Sequence, residues 1–437
     1  MKKTLLIVFT LIFTQLSKAQ PGWSAVGTTG INPVVQSLAL YNSTLYAGGS
    51  FTNTIMKLSG STWVAVSSPS LIGGSYVYAM SEYNSQLYVG GDFSSAGSVG
   101  TDAAKIARWN GTAWSAVGKG ANGAVRALTV ISGELYAGGS FTAVNNTGGQ
   151  VANSGCIAKW NSTTSTWSAV GTGIGGTAAQ VNAIAYFNNR VYAGGSFTTA
   201  GGNSINNIAE FNPLTMSWAS FGTLTGTVRA LASFNGSLYA GGTFGIKRWS
   251  GSAWVDVGTG LSGTVTVLAL ISFNGSLYVG GYFSAAGGVP NTANIAKWNG
   301  TAWFSTNSGL NADVDAFYVD PLSPLTLYAG GTFSSGTAGA YKQVAKYTSA
   351  VGIEEENFTS GIRIYPNPAS DKITVSAELK TDNAQLRIYD LTGRLLKEQA
   401  IINHQSLSID CSSFSAGIYF VKMNDGNRVF TQKLIIE

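Results

Sequence analysis

Short apolar stretches rich in Val, Tyr, Trp and Phe follow one another from Trp23 to Ser349, and polar residues separate each stretch from the next. The separating segments contain dipeptides such as Asn110-Gly111, which are typical of tight turns between antiparallel strands. Stretches of this length and composition are typical of β-strands. The pattern therefore predicts an all-β fold built from many short strands.

One string of eight residues recurs seven times in this region, at intervals of 39 to 56 residues. An apolar stretch that starts with Val precedes each copy. A variable loop, a third stretch and, in all but the last unit, a fourth stretch headed by Trp follow it. Four strands per unit of about 40–50 residues are typical of a β-propeller blade. The copies are LYAGGSFT from Leu45, LYVGGDFS from Leu87, LYAGGSFT from Leu135, VYAGGSFT from Val191, LYAGGTFG from Leu238, LYVGGYFS from Leu277 and LYAGGTFS from Leu327.

The two ends of this region complement each other. Residues 23–27 form a lone stretch headed by Trp, whereas the last unit runs through residues 344–347 and lacks its fourth stretch. Pairing of these segments would complete the last blade and close the ring without an exposed edge. We expect a seven-bladed β-propeller over residues 20–350, with four-stranded blades and a 1+3 closure. A solenoid is disfavoured because its coils are usually shorter and more uniform.

The order of motifs within a unit resembles that of kelch-type propellers, most clearly at Gly138-Gly139, Trp160 and Trp167. The resemblance covers roughly residues 23–349 and implies a fold, since kelch-like propellers serve as enzymes, lectins and scaffolds. We expect the paired glycines to mark a close backbone approach or a bulge that leaves no room for a Cβ. We expect the fourth-strand Trp residues to pack between blades.

The pattern changes at Val351. Residues 351–361 read as a linker, and charged residues are denser after it. Residues 362–437 then show seven short alternating stretches, which predicts an immunoglobulin-like β-sandwich. The predicted strands are 362–365, 372–377, 385–389, 395–399, 406–409, 417–423 and 428–435.

This C-terminal segment contains four motifs in order, at residues 365–368 (YPNP), 388–394 (IYDLTGR), 415–420 (SAGIYF) and 432–435 (QKLI). Together they closely resemble the motifs of the type A sorting domain of the type IX secretion system. The resemblance implies a Gram-negative bacterium, contact with the type IX secretion machinery, and passage through the periplasm. The mature protein would then be released or attached to the outer cell surface. An ordinary sandwich fused to a propeller is the alternative. The sorting-motif residues are Tyr365, Pro366, Asn367, Pro368, Gly393, Arg394, Gly417, Tyr419 and Lys433.

The N-terminus is typical of a secretory signal peptide over residues 1–19. A basic start is followed by an apolar core and by the small residues Ser17 and Ala19 at the −3 and −1 positions. The apolar run is shorter than the roughly 20 residues that a membrane span needs. We therefore expect export and no transmembrane segment in the mature chain.

The composition of the chain argues against several kinds of partner, metal site and catalytic site. The formal charge of +5 includes three lysines of the predicted signal peptide, so the remainder holds 22 basic against 20 acidic residues. It contains no basic cluster, and a nucleic-acid partner is not expected. The chain has one histidine, His404, and two cysteines, Cys156 and Cys411. These numbers argue against Cys-based metal clusters and a Ser-His-Asp triad, so we expect no cofactor, no metal and no identifiable catalytic residue.

Candidate binding residues come from one variable position. In propellers, the loops that enter the first strand and those that join strands two and three share a face around the channel mouth. The residue after the first-strand Val differs between units and is mostly polar, which favours recognition, although such residues also simply face water in a channel. The set is Gln36, Tyr78, Arg126, Asn182, Arg229, Thr266 and Asp315, and the residue after Gly-Gly adds Asp92 and Tyr282.

Two further patterns, a pair of carboxylates and a series of basic residues, indicate candidate sites less strongly. Asp313 and Asp315 are two residues apart at a strand start, where they would bind calcium or act as an acid/base pair on a sugar, or would be solvated loop carboxylates. A basic residue recurs in the third strand, and Glu210 interrupts the series. We expect its long stems to cover neighbouring side chains rather than to capture an anion. The basic residues are Lys57, Arg108, Lys159, Arg248, Lys297 and Lys346.

The sequence favours a non-enzymatic propeller, secreted or displayed on the cell surface, that binds glycans or proteins. The alternative is a polysaccharide-acting enzyme that uses Asp313, Asp315 or Asp92. A third hypothesis is a structural component of a surface coat.

Overall fold

The chain divides after Val351 into two compact units. The computed structural model describes residues 22–28, 31–51, 54–66, 71–74, 76–307, 309–336, 339–349, 362–377, 383–390, 394–402, 407–424 and 429–437. The predicted signal peptide, residues 1–19, and the predicted linker, residues 351–361, lie outside these ranges, as do His404 and Gly393. The described part is nearly all-β, with one 3₁₀ helix at Gly100–Ala103.

Within the described part of the first unit, seven antiparallel sheets have four strands each. They are numbered here by the position of their first strand. Sheet 1 is Val35–Tyr41, Thr44–Gly49, Ile55–Ser59 and Thr62–Ala65; sheet 2 is Val77–Tyr83, Gln86–Gly91, Ile106–Trp109 and Trp114–Ala116. Sheet 3 is Val125–Ile131, Glu134–Gly139, Ile157–Asn161 and Thr166–Ala169; sheet 4 is Gln180–Phe187, Arg190–Ser196, Ile208–Asn212 and Ser217–Ser220. Sheet 5 is Val228–Phe234, Ser237–Gly242, Gly245–Trp249 and Trp254–Asp256; sheet 6 is Thr266–Phe273, Ser276–Tyr282, Ile295–Trp298 and Trp303–Phe304. Sheet 7 is Val314–Val319, Thr326–Gly331, Val344–Thr348 and Gly22–Ala25.

The first strands of these sheets contact one another in sequence order, and the first strand of sheet 7 also contacts that of sheet 1. The fourth strand of sheet 7 comes from the N-terminus, because Gly22–Ala25 pairs antiparallel with Val344–Thr348. In this pairing Trp23 lies opposite Tyr347. The arrangement is propeller-like.

The paired glycines lie where neighbouring chains leave no space. A Cβ on Gly48 would come within 2.3 Å of Val77 Cγ1 in the next sheet, and a Cβ on Gly330 within 2.6 Å of Val35 Cγ1. A Cβ on the second glycine, as at Gly331, would meet a backbone carbonyl of its own sheet at 2.0 Å. The expectation of a close approach that excludes a Cβ is confirmed.

The fourth-strand Trp residues connect neighbouring sheets. In six of these residues the indole Nε1 donates a hydrogen bond to the residue three positions after the Trp of the preceding sheet, five times to its backbone carbonyl and, from Trp23, to the Oγ1 of Thr306. Their packing between sheets is thus also confirmed. The carbonyl pairs are Trp63 with Val26, Trp167 with Val117, Trp218 with Val170, Trp254 with Phe221 and Trp303 with Val257, at 2.9 to 3.2 Å.

In five of the seven sheets, the loop that enters the sheet pairs with the loop between its second and third strands. This pairing brings the two kinds of loop to one face, the face at which the first strands begin. The paired residues are Leu71 with Ala96, Ala121 with Val144, Ile174 with Ala200, Leu261 with Ala286 and Leu310 with Gly336. The short strands of these loops are Leu71–Ile72, Ser95–Ala96, Asn145–Asn146, Gly149–Gln150, Ile174–Gly175, Thr199–Ala200, Asn203–Ser204, Leu261–Ser262, Ala285–Ala286, Ser335–Gly336 and Gly339–Ala340.

The second unit has two antiparallel sheets around one core. Ile373 and Val375 of one sheet pack with Leu386, Val421 and Leu434 of the other, and all five are buried. The bounds of the seven strands lie within three residues of the predicted ones. The first sheet is Ile362–Tyr365, Lys372–Ala377 and Leu407–Asp410, and the second is Leu395–Ile402, Asn383–Asp390, Gly417–Asn424 and Val429–Ile436.

Candidate functional site

The first strand of every propeller-like sheet has a β-bulge directly after its leading Val, where the register with the second strand shifts. A bulge re-aims one side chain out of the regular ladder. Because the first strands contact one another around the ring, the bulged residues together form a ring, here called the bulge ring. Its members are Gln36, Tyr78, Arg126, Asn182, Arg229, Leu268 and Asp315.

One member differs from the sequence prediction. The sequence prediction took Val265 as the leading Val of this strand and therefore chose Thr266. That prediction was wrong. In the structure Val267 occupies the leading position, and the register shift falls between Val267 and Ala269. Leu268 is therefore the bulged residue, and Thr266 pairs regularly with Tyr282.

Two members of the bulge ring, Tyr78 and Arg126, contact each other, and Tyr76 stacks on Tyr78 from outside the ring. The rings of Tyr76 and Tyr78 are parallel within 5°, with their centroids 5.5 Å apart. The guanidinium Cζ of Arg126, from the next sheet, lies 4.5 Å from the centre of the Tyr78 ring. Burial raises the pKa of Tyr78, and the charge of Arg126 opposes this shift. Tyr76, which is 40% exposed, was missed by the sequence analysis although the string Tyr76-Val77-Tyr78 offers a signal.

Asp92 lies beside this stack. Its Oδ1 is 2.6 Å from Lys105 Nζ, and its backbone N–H donates to the carbonyl of Tyr76 at 2.9 Å. Its negative charge contributes to the raised pKa of Tyr78. The structure thus brings together Tyr78, Asp92 and Arg126, three of the predicted site residues. Tyr282, a fourth, ends the second strand of sheet 6 and is 51% exposed.

Three polar atoms in the bulge ring are buried and have no hydrogen-bond partner among the described residues: Gln36 Oε1, Arg126 Nε and Asp315 Oδ2. Asn182, in contrast, donates through Nδ2 to the carbonyl of Val228 at 2.9 Å, which joins sheet 4 to sheet 5. A buried polar group without a partner costs free energy. These three atoms are therefore the polar groups of the bulge ring that the fold leaves unsatisfied.

A carboxyl group with unusual acidity completes the ring. Burial, together with the charge of Asp313, raises the pKa of Asp315 to about 7, and the positive charge of Arg229 opposes the shift. Burial also raises the pKa of Asp313. Asp313 and Asp315 therefore interact with each other, and Asp315 exchanges its proton near neutral pH. Within the described residues, no group of three or more His, Cys, Asp or Glu residues is placed to hold a metal ion.

In the second unit, the first sorting motif lies against the last strand. Asn367 Oδ1 accepts a hydrogen bond from the backbone N–H of Ile435 at 2.8 Å, and the N–H of Ala369 donates to the carbonyl of Ile435 at 2.9 Å. The last strand, Val429–Ile436, also contains Lys433 of the final motif. Two motifs that are far apart in sequence are therefore adjacent.

The other sorting motifs hold turns together. Arg394 Nε is 3.1 Å from Asp390 Oδ2, and the backbone N–H of Arg394 donates to Asp390 Oδ1 at 3.0 Å. The Tyr419 hydroxyl donates to the carbonyl of Ser415 at 2.6 Å, close to Gly417. Tyr419 itself is buried and stacks on Phe414.

Residues 363–437 match the family model described as "Secretion system C-terminal sorting domain". The C-terminal unit is a sorting domain. Its presence means export by type IX secretion to a secreted or cell-surface location, and the predicted localisation is confirmed. The sorting domain also implies interaction with the secretion machinery. No helix in the described ranges is long and apolar enough to cross a membrane.

The chain is similar to an endo-acting ulvan lyase from Formosa agariphila, with 34% identity over 87 residues. The match covers 19% of this chain and 16% of the lyase. The match is far shorter than the first unit, so it does not cover that unit as a whole.

Two solved structures show weaker likenesses. The extracellular domain of a hybrid two component system from B. thetaiotaomicron has 14% identity and a TM-score of 0.48, over 96% of this chain and 58% of that one. YCF48 bound to D1 peptide has 12% identity and a TM-score of 0.46, over 76% of this chain and 98% of that one. At these scores neither likeness bears on function.

Proposed function

We propose that residues 20–350 form a seven-bladed, kelch-like β-propeller with a 1+3 closure, and that it acts outside the cell as a non-enzymatic module that binds a glycan or a protein. In this proposal residues 1–19 are the signal peptide, residues 351–361 the linker and residues 362–437 an immunoglobulin-like sorting domain. The cyclic contacts of the first strands and the N-terminal strand of sheet 7 support the closed ring.

The observation that carries the proposed activity is the bulge ring. Every sheet has its bulge at the same point, so the backbone position is fixed by the fold. The side chain at that point nevertheless ranges from Arg126 and Arg229 to Asp315 and Tyr78. A fixed frame with differing side chains, including Tyr and Arg, is suited to recognition of one specific partner.

Binding is tested with the full mature chain on arrays of glycans and of cell-surface proteins. Arg126→Ala removes the cation from the Tyr78 ring and is expected to weaken binding by roughly 10-fold or more. Lys247→Ala is the matched control, because Lys247 pairs with the exposed Asp256 on the outer strands of sheet 5. If the Arg126→Ala variant binds as tightly as the native chain, the bulge ring is not the binding site. If the native chain binds nothing in either screen, the proposed binding function is contradicted.

An enzyme remains the second candidate because of Asp315. A carboxyl with a pKa of about 7, beside Asp313 and Arg229, has the acidity of a general acid or base at neutral pH. The short match to an ulvan lyase adds a polysaccharide as a candidate substrate. Turnover of a polysaccharide that is lost in Asp315→Asn and retained in Asp256→Asn would favour this function over binding alone.

A further inference from the structure

A cavity of about 480 Å³ lies between sheets 4 and 5, and its volume falls within the range of small-molecule sites. The hairpin residues Asn188 and Gly236, which follow the first strands of these sheets, form part of its wall. Asn182 of the bulge ring lies near the start of the same strand whose other end leads to Asn188. The cavity therefore opens at the opposite end of the sheets from the bulge ring.

Aromatic rings form one side of this cavity. The centroids of Phe221 and Trp249 are 4.1 Å apart, with a 33° angle between the ring planes. Tyr192 contacts the edge of this pair, at 4.6 Å from Phe221. Such faces pack well against the C–H groups of a sugar ring, because the negative face of the ring attracts the slightly positive hydrogens.

An ion pair forms the polar side. Arg190 Nε lies 3.3 Å from Glu210 Oε1, and the Tyr192 hydroxyl donates to Glu210 Oε2 at 2.9 Å. Burial and this hydrogen bond raise the pKa of Tyr192, so the phenol stays protonated. The side chains of Arg190 and Glu210 are 30% and 24% exposed, which leaves part of each open to the cavity. Their opposite charges offset each other, and the lining as a whole favours a neutral ligand.

The repeats provide an internal comparison, and four departures from their pattern meet in this cavity. Glu210 occupies the third-strand position that is basic in the other six units, and Arg190 precedes a string whose other copies follow Thr, Gln, Glu or Ser. Phe221 stands three residues after its Trp, where the other units have Val or Thr. Trp249 is only partly buried, whereas its equivalents Trp109 and Trp298 are 2% and 6% exposed.

We propose that this cavity, the sheet 4–5 cleft, binds a neutral sugar ring of a glycan. Phe221 and Trp249 form the apolar wall against which the sugar ring packs, Glu210 accepts hydrogen bonds from its hydroxyl groups, and Arg190 donates to its oxygens. The site is separate from the bulge ring and does not rest on ligand binding there. A substitution in one site is therefore expected to weaken binding at that site and to leave binding at the other unchanged.

The test is isothermal titration of the full mature chain with neutral trisaccharides, namely cellotriose, laminaritriose and mannotriose, and with trigalacturonic acid. Phe221→Val introduces the residue that most other units have there and is expected to weaken binding about 10-fold or more. Glu210→Gln keeps the shape and is expected to do the same by removing a charged acceptor, an effect of about 10-fold or more.

Glu134→Gln is the matched control, because Glu134 forms the equivalent ion pair with Lys159 in sheet 3, at 2.7 Å. It should bind the trisaccharide as the native chain does, and so should Arg126→Ala. Thermal denaturation confirms that each variant is folded. The proposal is overturned if no neutral trisaccharide binds, if trigalacturonic acid binds more tightly, or if Phe221→Val and Glu210→Gln bind as well as Glu134→Gln.

Discussion

The indole Nε1 of Trp23 donates a hydrogen bond of 3.0 Å to the Oγ1 of Thr306, 283 residues later in the chain. The equivalent bond in other sheets ends on a backbone carbonyl, as between Trp63 and Val26. The N-terminal strand region thus donates to sheet 6 through Trp23 and accepts from sheet 1 through Val26. It connects three sheets, although it contributes only one short strand.

Replacement of Trp23 by Ala should therefore destabilise the first unit. Trp23 is 5% exposed and its ring packs against that of Tyr347, with the centroids 5.3 Å apart, so truncation leaves a cavity as well as a lost hydrogen bond. We expect the free energy of unfolding to fall by about 3–5 kcal/mol. Chemical denaturation measures this, with Leu214→Ala at an 89% exposed position as the control. A change no larger than that of the control contradicts closure through this strand.

A methyl group on a paired glycine should have a comparable effect. In Gly331→Ala the new Cβ would lie 2.0 Å from the carbonyl oxygen of Asp313, which is backbone and cannot rotate away. We expect a loss of about 1–3 kcal/mol or more from overpacking. Gly148→Ala is the matched control, since a Cβ there meets nothing within 4 Å. Equal melting temperatures of the two variants would show that the backbone at Gly331 accommodates a Cβ with no loss in the free energy of unfolding.

The stability of the propeller-like unit should depend on pH through Asp315. Its folded pKa of about 7 is above the usual value near 4, so the folded state holds this proton more tightly than the unfolded state. The contribution of Asp315 to stability is thus full below pH 4, falls as the pH rises to 7, and stays low above that. Asp315→Asn should be more stable than the native chain at pH 8, by at most about 4 kcal/mol, and the difference should shrink towards pH 4.

Melting temperatures of both proteins from pH 4 to 8 measure this difference. The same measurement on Asp256→Asn, at a carboxylate whose side chain is 74% exposed, serves as the control. A stability difference between Asp315→Asn and the native chain that stays constant across the range would argue against a raised pKa.

Removal of residues 362–437 should retain the protein in the periplasm, because the sorting domain that leads it across the outer membrane is gone. A milder change is Asn367→Ala, which removes the acceptor for the N–H of Ile435 and loosens the first motif from the last strand. We expect reduced export, measured by cell fractionation, whereas Glu398→Gln on another strand of the domain should behave as the native chain. Unchanged surface display of the truncated chain would exclude a sorting role.

Much of the fold could be predicted from local sequence, because the determinants recur. Each Gly-Gly pair marks a place where the backbone is crowded. The stretch headed by Trp23 lacks three companion strands in its own neighbourhood of the sequence, which indicates that it pairs with residues 344–348. The seven strands of the sorting domain could be placed closely because alternation and turn residues are both local signals.

The site was predictable only in part, because its details depend on packing between sheets. Val265 and Val267 are equally good candidates for the leading position, so sequence could not place the bulge at Leu268. Tyr76 precedes the variable position and joins the site only through its stack with Tyr78. The sheet 4–5 cleft depends on Phe221, which directly follows the last strand of sheet 4, and on Trp249 of sheet 5, and sequence alone does not show that these rings are in contact.

The pairing of Gly22–Ala25 with Val344–Thr348 also sets an order of events. Sheets 1 to 6 take all four strands from contiguous sequence, so each can form as soon as its own segment emerges. Sheet 7 cannot, since the carbonyl of Lys346 that accepts from Ser24 Oγ lies 322 residues further along. Gly22–Ala25, the first strand that the structure describes, can therefore pair only once residues 344–348 are present, so sheet 7 requires both ends of this unit.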